Sequence, residues 1–486
     1  MRLLSLILVA IMFIGCIAAC AADQGNSGDT TARADGENIE EEVDDIDARR
    51  RVSDDLPQKN YNGRVFTVLA RERADFVADI GIGLEESGDV VKDAVYFRNM
   101  TVEDRFNVRL EVDHVSGDPN TKLKNTVLAN EDVYDLILAQ AIETGSASID
   151  GNFVDWFNAL PYVNLDKPWY IGNARDTLSV KNHSYVMIGE YCLSVLRFTY
   201  CMYFNKAMAE TYQIEDLYKT VNDGKWTIDR LNEIVKDVYT DLNGDGQRDA
   251  DDLYGFSTDY YSGAVAYQYG FDNPVMQRNS EGIPEMKVNL EKTVAIIEKL
   301  HDFFWNNIGS YPETWGVTGG IWKDGRVLFI NNLFGGSSSY RDYEYDYGII
   351  PYPKWNEQQP AYYSMADGAH DVMAVPLTIS DPEFTSIIIE ALNAETYKQV
   401  VPALYDVAFK IKYARDDTST EILDMILAGR YFDFGYVYDG WQGVAFLIQQ
   451  LLSVKKSDYM SLYTSVEAKA RTRYEKVVEG LLALDE

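Results

Sequence analysis

The sequence predicts an α/β fold divided into two or more lobes, and three observations carry that prediction. Between Tyr61 and Gln140, strand-like and helix-like patterns alternate in the order β-α-β-α-β, which calls for right-handed crossovers and a mostly parallel sheet. At 486 residues the chain is longer than one compact core organises. Its composition, 46% hydrophobic and 25% charged, can fill sizeable cores and is not that of a wholly disordered chain.

The first segment is read as an address rather than as structure. Residues 1–20 read MRLLSLILVAIMFIGCIAAC, a positive Arg2 followed by a nearly unbroken apolar run from Leu3 to Ile14. That run is shorter than the ~20 residues a membrane-spanning helix needs, so it is expected to be an export signal. Ile17-Ala18-Ala19-Cys20 resembles the lipobox of bacterial lipoproteins, which implies cleavage after residue 19 and a lipid on Cys20. Cys16, preceded by Phe13-Ile14-Gly15, fits that pattern less well, and an ordinary secretory signal cut near Ala19 or Ala22 is the alternative. Residues 20–58 are rich in Gly, Ser, Thr, Asp and Glu and lack aromatics, so a disordered acidic tether is expected, with folding beginning near Tyr61.

The elements then follow in order. Val65–Ala70 is a short apolar, β-branched run, and Val91, Val95, Val102 and Phe106 recur at helical spacing. Arg109–His114 alternates as a half-buried strand does, 119–129 reads as a polar helix, and Tyr134–Gln140 as a buried strand. Ligands of such sheets bind beyond the C-terminal strand ends, which points to the loops opening at Arg71 and Gln140. Ser184–Gly189 and Thr199–Phe204 are further strand candidates. Thr227 is placed to cap a helix carrying Leu231, Ile234, Val235 and Val238, and a second helix spans 290–306 with Val294, Ile297, Leu300 and Phe304 on one face. Gly348–Pro351 and Asp371–Pro376 read as strands. Helices dominate from 382, with breaks at Pro402 and at 432–440.

Charge and composition exclude several functions. The chain has 44 Lys+Arg against 77 Asp+Glu, a net of -33, which repels phosphate backbones and anionic headgroups. Only 4 His and 4 Cys argue against a zinc or haem protein. Cys192 and Cys201 can either bridge, if the chain is exported, or remain as buried free thiols. One segment matches a metal motif. Asp241-Leu242-Asn243-Gly244-Asp245-Gly246-Gln247-Arg248-Asp249-Ala250-Asp251-Asp252 has the spacing of an EF-hand-like calcium loop. Oxygen ligands would come from Asp241, Asn243, Asp245, Gln247, Asp249 and Asp252. Asp252 stands where a longer Glu is usual, and the competing reading is an Asn-Gly/Asp-Gly turn among incidental acids.

Several segments, taken in order, resemble the extracellular solute-binding proteins of bacterial ABC importers, the carbohydrate-type group related to maltodextrin-binding proteins. They are the lipobox at Cys20, Tyr203-Phe204-Asn205-Lys206, Gly224-Lys225-Trp226-Thr227, the Asp241–Gly255 loop, Tyr347–Pro353, and Ala374-Val375-Pro376 ahead of a long helix. The resemblance implies a two-lobe, type II periplasmic-binding-protein-like fold with a hinge and an interlobe cleft. Lobe one would take 60–198 and 366–430, lobe two 199–365 and 431–486. It further implies a receptor outside the cell membrane, held by lipid on Cys20, monomeric, delivering a small solute to permease subunits without chemistry. Sugars bind by stacking on aromatics and by hydroxyl contacts to polar side chains. The expected ligand residues are Trp441 within FGYVYDGWQG, Phe334, Tyr260 and Tyr261, with Gln140, Asp367 and Asp433 as polar partners. For each of these, core packing or a solvated surface is the competing role. Trp156, Trp169, Trp226, Trp305 and Trp322 are expected to pack structurally, and Trp315 is left open.

Rival functions have less support in the residues. No pair of carboxylates stands out for a glycosidase, no G-x-S-x-G elbow accompanies the four histidines, and no phosphate loop occurs. A surface glycan-binding protein without a permease, or a receptor for peptides or another small molecule, would share the same lobes.

Overall fold

The computed structural model describes residues 45–340, 342–405, 417–438 and 443–484. Cys16, Cys20, the signal segment, most of the acidic tether and Trp441 lie outside the described residues. No helix among the described residues is long and apolar enough to cross a membrane.

The tether expected to reach residue 58 ends earlier. A short helix spans Asp45–Arg50, and Val52 and Leu56 pack against the core of the first sheet. Asp54 is buried and is gripped by the Arg105 guanidinium, while Lys167 pairs with Asp55 at 2.6 Å. Composition alone misses this because a few apolar residues and ion pairs to distant elements suffice to order a polar strip.

Strand β1 (Arg64–Arg71) leads into the Val90–Phe106 helix, which Asp89 caps by accepting from the Val91 and Lys92 amides. Asn107 ends that helix in the left-handed region, φ 48°, and β2 (Val108–Val115) returns parallel to β1. The Pro119–Leu128 helix, capped by Asp118, then delivers β3 (Leu136–Gln140), parallel to β1 on its other side. Alternate residues of these strands feed separate cores. Phe66, Val68, Ala70, Leu136 and Leu138 face one, and Leu69, Ile137 and Ala139 face the other. Burial on both faces explains the unbroken apolar runs.

The expected strand at Ser184–Gly189 does not form. Met187 exchanges both backbone hydrogen bonds with Met373, at 2.9 and 2.8 Å, but its neighbours bond elsewhere: the Ile188 carbonyl accepts from Ile171 and the Val186 carbonyl from the Ser184 hydroxyl. The apolar run is real, but it packs as irregular chain.

After Arg197 the chain enters a second sheet through β4 (Tyr200–Asn205), β5 (Tyr239–Thr240) and β6 (Leu253–Ser257). A hairpin of β7 (Met276–Arg278) and β8 (Pro284–Met286) precedes β9 (Val327–Leu333) and β10 (Tyr347–Ile350). The second sheet runs β10-β4-β9-β6-β5 and has one parallel pair, β6 with β9. Thr227 caps its helix through the Arg230 amide, and Ile297, Leu300 and Phe304 bury the Leu290–Asn306 helical run. Trp156, Trp169, Trp226 and Trp322 are buried to 1% or less.

Following β11 (Ser364–Met365), the chain returns to the first sheet as β12 (Asp371–Ala374), antiparallel to β3, giving the order β12-β3-β1-β2. The Pro382–Glu395 helix covers that sheet and packs on the Val90–Phe106 helix. The Asp417–Ala428 helix, by contrast, packs against β10 and the Leu217–Asn222 helix. The chain has therefore passed to the second sheet before β13 (Arg430–Tyr431), earlier than the division expected at residue 430. Cys192 and Cys201 are buried free thiols, and burial pushes the Cys201 thiol up to about 12.

Candidate functional site: a cleft at the hinge

Segments crossing between the two sheets lie side by side. Thr199 bridges Ala366, and the Asp367 amide donates to the Phe198 carbonyl at 2.9 Å. β11 runs parallel to β13, pairing Met365 with Tyr431. Asp367 sits within this crossing: its carboxylate accepts from Tyr200 Oη at 3.0 Å and from the Ala369 amide at 2.9 Å. Burial raises its pKa. These bonds tie the crossing strands together.

Beside the hinge lies a cavity of about 590 Å³. The segment after β1 contributes Arg73 and, from the first turn of the Ala74–Ile80 helix, Asp75, and the hinge contributes Arg197 and Phe198. The second sheet supplies Asn332 and Leu333 at the end of β9, the Phe334–Tyr340 helical turn and Tyr343 follow, and the Trp315–Lys323 helix forms one wall. The cavity thus stands at the C-terminal ends of β1 and β9, where open α/β sheets take ligands.

The helical wall has an unusual surface. Trp315, Gly316, Gly319, Gly320 and Lys323 share one face through i+3 and i+4 spacing. A Cβ on Gly319 would approach the Trp315 indole to 3.4 Å, and one on Gly316 or Gly320 would meet nothing within 4 Å. The result is a bare backbone strip between a 39% exposed indole and an ammonium. Asp259 fixes the start of this wall by accepting from the Trp315 amide at 3.0 Å and from Tyr261 and Ser262.

The opposite wall is built of layered Arg–Asp pairs. Arg73 pairs with Asp75 at 2.9 Å, Arg197 with Asp79 at 2.6 Å, and Arg71 with Asp371 at 2.5 Å. Arg71 and Arg73 lie over the Phe76 ring, 4.0 and 4.9 Å from its centroid, and Phe76 stacks on Phe198 at 5.8 Å. Burial pushes Asp79 up to about 7 despite Arg197, and Asp371 up to about 6 despite Arg71. Desolvation outweighs the nearby positive charge at both.

The sequence-predicted ligand residues distribute unevenly around this cleft. Phe334 is 2% exposed: its amide donates to Thr199 and its carbonyl accepts from Tyr203, so its ring is core rather than a stacking surface. Tyr260 is half-buried against Trp305, with ring centroids 6.3 Å apart. Tyr261 is 44% exposed beside Asp259, the residue that holds Trp315. Gln140 ends β3 with its amide 3.3 Å from the Glu143 carboxylate and does not line the cavity. Asp433 is buried, borders a separate hollow of about 340 Å³, and accepts from the Val275 and Tyr436 amides at 3.2 and 3.0 Å. It holds backbone rather than ligand.

In the Asp241–Asp252 loop, Asp241 accepts from the Gly244 and Gly246 amides, and Gly246 takes φ 72°. Asp252 is fully buried and accepts from Tyr239 Oη at 3.0 Å and the Leu242 amide at 3.2 Å. Among the described residues no group of three or more His, Cys, Asp or Glu is arranged to hold a metal.

Sequence reasoning missed Arg73, Arg197, Lys323 and the glycine face. A signal was present in WGVTGGIWK: three glycines within one helix cost roughly 1 kcal/mol each relative to alanine, so bare backbone there serves something other than helix formation.

No protein-family model and no curated protein sequence matches the chain. Solved structures do. A cyclo/maltodextrin-binding protein complexed with maltotetraose is 13% identical, with a TM-score of 0.55 over 86% of this chain and 98% of its own. An ABC substrate-binding protein from Listeria monocytogenes in complex with cycloalternan is 11% identical, with a TM-score of 0.51 over 86% and 98%. UgpB from Mycobacterium tuberculosis in complex with glycerophosphocholine is 12% identical, with a TM-score of 0.51 over 87% and 98%. Together with the paired sheets and the crossing strands, these likenesses show that the chain has the hinged, two-lobe α/β fold of the type II solute-binding proteins of ABC importers.

Proposed function

We propose that this protein is the capture subunit of an ABC importer, closing its two lobes around a saccharide and handing it to a membrane permease. The observation that carries this reading is the cleft itself. It joins an exposed indole, a smooth helical strip and polar groups from both lobes across a hydrogen-bonded hinge. A ligand touching both walls favours the closed form by its differential contacts, and that is all a permease needs in order to tell loaded from empty receptor. Two of the structural likenesses, with maltotetraose and cycloalternan, support an oligosaccharide.

Binding without catalysis is the reading the lining supports. Among the described lining residues the one carboxylate, Asp75, is tied to Arg73, and no second carboxylate of the kind glycoside hydrolysis uses stands among them. We further propose export, lipidation at Cys20, work as a monomer outside the membrane, and calcium organising the 241–252 loop. Mass spectrometry of the mature chain, wild type against Cys20→Ser, tests the anchor; an unlipidated wild type rejects it.

The central test is calorimetric titration of neutral and acidic oligosaccharides, peptides and amino acids. Saturable saccharide binding that Trp315→Ala weakens is expected. Binding of peptides alone would replace the ligand class.

A further inference from the structure

We propose that the saccharide taken by this cleft carries a negatively charged group, read by Lys323 on the helical wall together with Arg73 and Arg197 on the facing wall. The inference rests on the capture reading above and adds the charge of the ligand to it.

Charge is the first reason. In a chain of net charge -33, the described lining holds three cationic side chains, Arg73, Arg197 and Lys323; Asp75 offsets Arg73 and Asp79 offsets Arg197, which leaves the Lys323 ammonium uncompensated. The remote acids matter little, because at physiological salt the Debye length is about 8 Å and exposed charges beyond it are largely screened. What a bound group feels is its immediate lining.

Unused donors are the second reason. The Arg73 and Arg197 ion pairs each engage a terminal nitrogen, leaving other N–H groups of each five-donor fork. Arg197 Nε is buried without a hydrogen-bond partner among the described residues. Lys323 is exposed and enters no ion pair among the described residues, and its neighbour Asp324 pairs with Arg326 instead. The Ser338 and Ser339 hydroxyls and the Asn332 amide can serve a sugar's hydroxyls, but the lining also carries a donor-only set, the Lys323 ammonium and the two guanidinium groups. A carboxylate, sulfate or phosphate is acceptor-only and matches it. The glycine strip beside Trp315 leaves room for a ring to lie flat with its charged substituent toward Lys323.

The probes are glucuronate-, galacturonate- and mannuronate-containing oligosaccharides, each titrated against its neutral methyl ester, with 6-sulfated and 6-phosphorylated hexoses as separate arms. At least one acidic probe is expected to bind tenfold or more tighter than its uncharged counterpart and to weaken as NaCl rises from 50 to 500 mM. Whichever arm binds names the source of the charge. Lys323→Met should abolish the preference and Lys323→Arg should restore it. Gly320→Ala, which puts a methyl into open space on a helix it should stabilise, should weaken binding without lowering the melting temperature. Esters binding as well as acids, or neutral saccharides alone binding, overturns the charge inference and leaves saccharide capture standing. Binding of no saccharide at all overturns both.

Discussion

Asp433 and Trp315 differ in what surrounds them, and single substitutions at each should separate folding from binding. Asp433 is 3% exposed and accepts from the backbone amides of Val275, Met276 and Tyr436. Asp433→Ala removes the side-chain acceptor of the buried Val275 and Met276 amides, while the Tyr436 amide keeps the Asp433 carbonyl, and a loss of about 2–4 kcal/mol in urea unfolding is expected. Trp315 is 39% exposed on the cleft wall and is held through its amide, not its ring. Trp315→Ala should therefore weaken saccharide binding by about tenfold or more while moving the melting temperature by no more than about 1 °C. A large fall in melting temperature would make the indole structural after all.

At the scale of elements, tight packing and bare backbone can be told apart at the glycines. Gly348 on β10 has no room, since a Cβ there would come within 2.2 Å of the Phe204 ring and 2.5 Å of Tyr218 Oη. Gly348→Ala is expected to cost about 1–3 kcal/mol by overpacking, measured by urea unfolding. Gly320 faces the cleft, and the same change there costs no space. The 241–252 loop already closes on itself through the Asp241 contacts to Gly244 and Gly246. Calcium should nevertheless raise the melting temperature, and Asp245→Ala should remove that rise. An unchanged melting curve with calcium rejects the metal.

For the whole molecule, buried carboxylates set the dependence of stability on pH. Burial pushes Asp79 and Glu390 up to about 7 and Asp135, Asp371 and Asp433 up to about 6. In each the folded state holds its proton more firmly than the unfolded chain, so the stabilisation is complete below the ordinary carboxylate range and is lost as pH rises through 6 to 7. Acidification from pH 8 to 5.5 also removes some of the excess negative charge. Calorimetry should show a melting temperature a few degrees higher at pH 5.5 than at pH 8. Further acidification reverses the trend at groups such as Asp113, whose hydrogen bond from Lys122 holds it below the ordinary range. A flat profile from pH 5.5 to 8 would mean that these carboxylates are hydrated in the folded protein.

Local pattern decided the elements. Periodicity placed β1, the Val90–Phe106 helix, β2 and β3, and cap chemistry at Thr227 set a helix start, because these depend on residues within a few positions of one another. Order along the chain was enough to point to the two-lobe plan. The binding surface was not legible in this way. Phe334 and Asp433 look like ligand residues by type, but burial, which only the packed lobes determine, assigns them to core and backbone. Arg73, Arg197 and the Trp315–Lys323 helix are separated by long stretches of sequence and meet only where the ends of two strands from different sheets face one another across the hinge. Strand order pointed to the loop opening at Arg71, and the glycines of WGVTGGIWK carried a local signal. No short-range pattern encodes their meeting, since it arises from how the sheets are set against each other, and so the assembly of the cleft and its charge was decided by the tertiary structure.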